Sequence, residues 1–211
     1  MKDETLRQLI RGILNEKANL PVAKNASIDS LYYPDDKAIR KILIISPGVE
    51  NAYEWKDGTK AAHHHFKQAV PRLDDDVAIV CAKDAGRSID SVPSDIAKDE
   101  TLSKVSNIEL LGFSGGGNTV LKFMKNSGNA GRISKFYLAD PYWNTELGPA
   151  TVPYPSKTIL MHNVGNWKIE RNMGPVFKVM HKSVERGGGT AIESKLGHVD
   201  ILRDMLSKAN S

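Results

Sequence analysis

The sequence predicts an α/β fold, a three-layer α/β/α sandwich on a mostly parallel sheet, and three observations carry that expectation. Short apolar runs alternate with segments of helical period, as where Ile108 to Phe113 is followed by Val120, Leu121 and Met124. The apolar runs are continuous rather than alternating, which suits strands buried on both faces. Residues able to do chemistry fall where those runs end: Ser46-Pro47-Gly48-Val49-Glu50, Lys83-Asp84, Ser114, Asp140, His162-Asn163 and Gly197-His198. Reactive groups in parallel sheets collect at the carboxyl ends of strands.

The elements follow in order. Residues 1–25 read as an N-terminal amphipathic helix and linker, and residues 26–211 as one globular domain. Leu6, Leu9, Ile10, Ile13 and Leu14 make an apolar stripe at helical spacing. Ala18 to Asn25 has no periodicity and contains Pro21, the mark of a linker. Ser27 to Tyr33 is a short mixed strand, Pro34-Asp35-Asp36-Lys37 a turn and Ile39 to Ser46 an apolar strand, together a hairpin. A helix runs from Thr59 to Val70 and stops at Pro71. Val77 to Ala82 is the next buried strand, with Cys81 in it as a small core residue. A helix over Ser94 to Ser103 precedes the strand Ile108 to Phe113, and another follows to Lys125. Then come the strand Lys135 to Ala139, the strand Thr158 to Met161, a helix over Val176 to Glu185, the strand Thr190 to Ser194 and a last helix from Val199.

Composition narrows the function. The chain has 211 residues, 40% hydrophobic and 26% charged, enough for one domain with a sizeable core. Cys81 is the only cysteine, so no intramolecular disulfide forms. The net charge of +4 comes from dispersed lysines and arginines, without the basic run or aromatic interleaving that a nucleic-acid partner requires. No stretch is long enough to span a bilayer and no secretion signal is visible, so the expected location is cytoplasmic. The leader Leu6-Arg7-Gln8-Leu9-Ile10-Arg11-Gly12-Ile13-Leu14-Asn15-Glu16 is similar to N-termini of some virion-associated proteins of large tailed phages, which would imply a virion location instead.

The chemistry centres on Leu110-Leu111-Gly112-Phe113-Ser114-Gly115-Gly116-Gly117-Asn118, where a strand passes into a helix through glycines that enclose one serine. Such a turn strains the serine backbone, and the glycines let strand and helix approach. The helix begins with unpaired N–H groups, so the Gly115 amide points to where negative charge develops during attack on a carbonyl. A serine nucleophile also needs a base and a carboxylate to orient it. Ser114, Asp140 and His198 occur in that order, each after a predicted strand.

From Gly112-Phe113-Ser114-Gly115-Gly116 through Asp140 to Gly197-His198, the chain resembles the α/β-hydrolase family, in particular small serine esterases and lipase-like members without a large cap. The resemblance implies Ser114 as nucleophile, His198 as general base and then acid, Asp140 as the orienting carboxylate, and an oxyanion hole of the Gly115 and Val49 N–H groups. It implies hydrolysis of a carboxylic ester, thioester or amide through an acyl-enzyme, on a small-molecule or polymer-attached acyl substrate, with no cofactor and no metal. Most members carry the acid after the strand that here ends at Met161, where this chain offers only His162, Asn163 and Asn166. Asp140 fits the variant that uses the preceding strand. Asp200, two residues from His198, is the fallback acid or a cap of the last helix.

Other features have plainer readings. His162 ends an apolar strand as a satisfied core histidine, and His181 is an exposed helix residue beside Lys182. His63-His64-His65 is a solvated helix face, because adjacent helical positions point in different directions and do not share one ion. Asp74-Asp75-Asp76 is a polar turn. Tyr53, Trp55, Tyr142, Trp143, Tyr154 and Trp167 line a shallow cleft or pack its rim. Two rival functions stand beside hydrolysis. A hydrolase-like fold without activity would serve as a binding or structural component. A Rossmann-like nucleotide-binding protein would cradle a pyrophosphate on Gly112, Gly115 and Gly117 and a ribose on Asp140, although the spacing is Gly-x-x-Gly-x-Gly rather than Gly-x-Gly-x-x-Gly.

Overall fold

A computed structural model describes residues 28–32, 38–46, 76–82, 89–142, 151–164 and 167–210. Seven strands form one sheet: β1 (Ile28–Tyr32), β2 (Lys41–Ser46), β3 (Val77–Ala82), β4 (Ile108–Phe113), β5 (Lys135–Ala139), β6 (Thr158–Asn163) and β7 (Thr190–Ser194). Their order is β1-β3-β2-β4-β5-β6-β7. Strands β2 to β7 run parallel, and β1 alone is antiparallel, on the free edge of β3. Four described helices accompany the sheet: α1 (Val92–Ile96), α2 (Gly115–Asn126), α3 (Trp167–Arg186) and α4 (His198–Asn210).

The continuous apolar runs have the expected cause, for β2, β3 and β4 are buried along their whole length. Alternate residues feed two cores. Ile42, Ile44, Leu110, Phe136, Leu138 and Leu160 pack with residues of α1, α2 and α3, including Val92, Val120, Phe177 and Val184. Leu43, Ile45, Leu111, Phe113, Tyr137 and Met161 pack beneath Ile201, Leu202, Met205 and Leu206 of α4. The three layers are thus real, with helices on both faces of the sheet.

The hairpin expected over residues 27–46 does not form. Both edges of β2 are taken by parallel neighbours, β3 and β4, and β1 pairs with β3 instead. The helix expected over Ser94 to Ser103 is also corrected. It begins at Val92 and ends at Ile96, because the Asp99 carboxylate accepts from the Thr101 and Leu102 N–H groups and starts a separate 3-10 turn at Leu102–Lys104. Helix α3 runs nine residues upstream of its expected start and includes Pro175, which is exposed and borne by the buried face of Phe177, Met180 and Val184. The strand expected to end at Met161 continues to Asn163. The predicted leader helix and the helix at Thr59 to Val70, with its histidine run, lie outside the described residues. Among the described residues, no helix is long and apolar enough to cross a membrane.

A polar network closes the amino end of the sheet under α4. Lys41 Nζ lies 3.3 Å from Glu109 Oε2, both side chains buried. Tyr137 donates its hydroxyl to the same carboxylate at 3.0 Å, and Lys41 also donates to the Ala209 carbonyl near the end of α4. Burial, and secondarily the charge and hydrogen bond of Glu109, push the Tyr137 hydroxyl pKa well above its ordinary value.

Candidate active site

Ser114 occupies the turn between β4 and α2 with φ 53° and ψ −123°, a conformation that side chains rarely adopt. The neighbouring glycines make it possible. A Cβ at Gly112 would fall 2.7 Å from both the Gly116 carbonyl oxygen and Val120 Cγ2, so only glycine lets α2 cross β4 this closely. At Gly117 a Cβ would fall 2.4 Å from Pro141 Cβ, the residue after Asp140.

The backbone then ties Ser114 to both sides of Asp140. Ser114 N–H donates to the Ala139 carbonyl at 3.1 Å, and Tyr142 N–H donates to the Ser114 carbonyl at 2.8 Å. Asp140 leaves β5 with φ 44°, a left-handed conformation that aspartate tolerates better than most residues. Its own N–H donates to the Met161 carbonyl at 2.7 Å. The carboxyl group is 2% exposed and engaged on both oxygens. Oδ1 accepts from the Asn163 N–H at 3.0 Å, and Oδ2 accepts from His198 Nδ1–H at 2.5 Å.

His198 opens α4, its imidazole 37% exposed and its ring centroid 4.5 Å from that of Phe113. The loop before it is pinned to the sheet: Val164 N–H donates to the Ser194 carbonyl at 2.9 Å, and the Asn163 side-chain amide donates to the Leu196 carbonyl. With Nδ1 held by Asp140, the second ring nitrogen, Nε2, is left to act as a base. The Ser114 hydroxyl makes no hydrogen bond among the described residues, and such contacts commonly tighten only when substrate binds.

Asp140 and His198 are thus in direct contact, and Ser114 is locked by its backbone to the strand end that carries Asp140. Gly115 starts α2, buried, with its amide at the helix N-terminus. Val49 lies outside the described residues. Asp200, the fallback acid, is paired with Arg203 at 2.9 Å in the exposed first turn of α4. Sequence reasoning missed Asn163 as a positioning residue, because its contribution to Asp140 is a backbone N–H that any residue supplies.

Two histidine expectations are corrected. His162 is buried and stacked on Phe177 at 4.8 Å, but its Nδ1 has no partner, so it is not satisfied. Burial, and secondarily His181, hold its pKa below the usual histidine value. His181 is not exposed: its side chain is 19% accessible, and Nδ1 lies 3.3 Å from His162 Nε2. The helical period shared with Phe177 and Val184 carried that signal. On the rim, Tyr142 is exposed and Tyr154 packs its ring on Phe136 at 5.8 Å, while Tyr53, Trp55 and Trp143 lie outside the described residues. The side-chain position of Trp167 is likewise outside the description.

The geometry weighs against a nucleotide. Asp140 is buried and engaged on both oxygens, which leaves no free acceptor for a ribose there.

No family model and no curated protein sequence matches the chain. Among solved structures it is similar to the esterase domain of a protein from Rhodothermus marinus, at 12% identity over 85% of this chain and 88% of that one, with a TM-score of 0.51. It is also similar to esterase Est22, at 16% identity over 98% of this chain and 86% of that one, with a TM-score of 0.54. The likeness runs through nearly the whole of each chain and is one of fold.

Proposed function

We propose that this chain, which has the α/β-hydrolase fold, is a serine hydrolase that cleaves a carboxylic ester of a small-molecule or polymer-attached acyl group through an acyl-enzyme. The observation that carries the reading is the 2.5 Å contact between His198 Nδ1 and the buried Asp140 carboxylate, beside a serine held at φ 53°. The names of both structural relatives, as esterases, agree with an ester substrate.

In this reading His198 Nε2 takes the Ser114 hydroxyl proton as Oγ attacks the acyl carbon. Asp140 fixes the ring tautomer and stabilises the imidazolium that forms. The tetrahedral oxyanion is held by the Gly115 N–H and a second donor, Val49 N–H, from the segment after β2. As the intermediate collapses, the imidazolium protonates the leaving alcohol. A water activated by the same ring then hydrolyses the acyl-serine. One donor of an oxyanion hole is worth on the order of 10²–10³ in rate, so Gly115 at the start of α2 is a principal contributor.

A fluorophosphonate probe tests the nucleophile without a chosen substrate. The wild type is expected to gain one adduct by intact mass and Ser114→Ala none. A folded wild type that stays unlabelled would overturn the hydrolase reading in favour of a binding or structural role.

A further inference from the structure

On the sheet face covered by α3, three potential ligands converge from three elements. His162 and Glu193 are register partners on the parallel strands β6 and β7, and His181 stands on α3. One ligand atom from each lies within 4.8 Å of the other two. His162 Nε2 and His181 Nδ1 are 3.3 Å apart. A tetrahedral ion with bonds of about 2.0–2.1 Å to nitrogen spaces two of its nitrogens by about 3.3 Å.

The surroundings suit coordination. Glu185 Oε1 lies 3.2 Å from His181 Nε2. A carboxylate there accepts Nε2–H and leaves the Nδ1 lone pair directed at His162, the arrangement that orients metal-bound imidazoles. His162 is buried against the Phe177 ring, which holds its imidazole in place. His162 and Glu193 also line a cavity of about 400 Å³ with Val164, Phe177 and Lys178, room for a water in the remaining coordination position.

We propose that His162, His181 and Glu193 form a binding site for one divalent transition-metal ion of the zinc class. Two imidazoles and one carboxylate select such an ion over magnesium or calcium, which take all-oxygen shells. The site is separate from the proposed chemistry of Ser114 but adjoins it in sequence, since Asn163, next to His162, supplies the N–H that holds Asp140. A bound ion would fix the end of β6.

The test uses the full chain, stripped with a chelator, then titrated with Zn²⁺ by calorimetry and with Co²⁺ by visible absorption. One ion per chain is expected, with a cobalt ligand-field band and a Tm that rises with free Zn²⁺. His181→Ala and Glu193→Gln should each weaken binding at least about tenfold, while a variant with alanine at His63, His64 and His65 binds as the wild type does. Glu193→Gln keeps the side-chain shape, so a fold check by circular dichroism separates lost ligation from lost structure. No binding, binding unchanged in both ligand variants, or binding lost only in the His63–His65 variant would each overturn the proposal.

Discussion

Gly117 and Pro141 pack so closely that a methyl group on the glycine would sit 2.4 Å from the proline Cβ. The contact presses the first turn of α2 against the residue that follows Asp140, so the proposed nucleophile and its acid share one rigid corner. Gly117→Ala should therefore destabilise by about 1–3 kcal/mol through overpacking and slow fluorophosphonate labelling. Gly128→Ala, with nothing within 4 Å of the added carbon, is the control and should stay within about 0.5 kcal/mol. Denaturant melts of the two variants decide it, and equal stabilities would sink the idea.

Asp140→Asn keeps the left-handed backbone and an acceptor for the Asn163 N–H, so the fold should survive. The imidazole, however, loses the carboxylate that sets its tautomer. We expect kcat on an ester substrate to fall by about 10³–10⁴-fold at an unchanged Tm. A loss below tenfold would remove Asp140 from the mechanism.

Ser114 holds an unfavourable backbone conformation. Replacement by glycine should relieve it, making Ser114→Gly about 1–2 kcal/mol more stable than Ser114→Ala, with neither labelled by the probe. Thermal melts of both proteins give the comparison.

Much of this corner was legible in the sequence. The strands Ile108–Phe113, Lys135–Ala139 and Thr190–Ser194 have their expected bounds; in the first two, apolar runs between polar turns record burial on both faces, whereas the edge strand Thr190–Ser194 is only partly buried. The Asp140 to His198 contact follows from the same rule, since both leave the carboxyl edge of one sheet. Partner choice was not legible: β1 pairs with β3 although β2 is nearer in sequence, and nothing local to residues 28–46 encodes that. Nor does a sequence reveal that a backbone N–H, that of Asn163, holds a carboxylate, or that Pro175 sits within a continuous helix.

The buried ion pair of Lys41 and Glu109 invites a double-mutant cycle. Glu109→Leu leaves the buried Lys41 ammonium without its counter-charge and should cost about 3–5 kcal/mol, whereas Lys41→Met combined with Glu109→Leu should cost less than the sum of the two single changes. Additive losses in urea melts would show that the two charges do not depend on each other.

Tyr137 gives the protein an alkaline limit. Its folded pKa is raised above the ordinary value of 10.0, so the folded state holds the proton more tightly than the unfolded chain. The resulting stability is complete below that value and drains away as pH climbs past it. Tyr137→Phe should flatten the fall in Tm above about pH 10; an unaltered slope would place the alkaline sensitivity elsewhere.

Helix α4 starts with His198 and, one residue before its end, is fastened through the Ala209 carbonyl to Lys41. Its 13 residues make a strut about 20 Å long, anchored at opposite rims of the sheet. A substitution among Lys41, Glu109 and Tyr137 should therefore tilt or fray the beam on which the imidazole rides, so that in the proposed mechanism folding and turnover would depend on the same piece of chain.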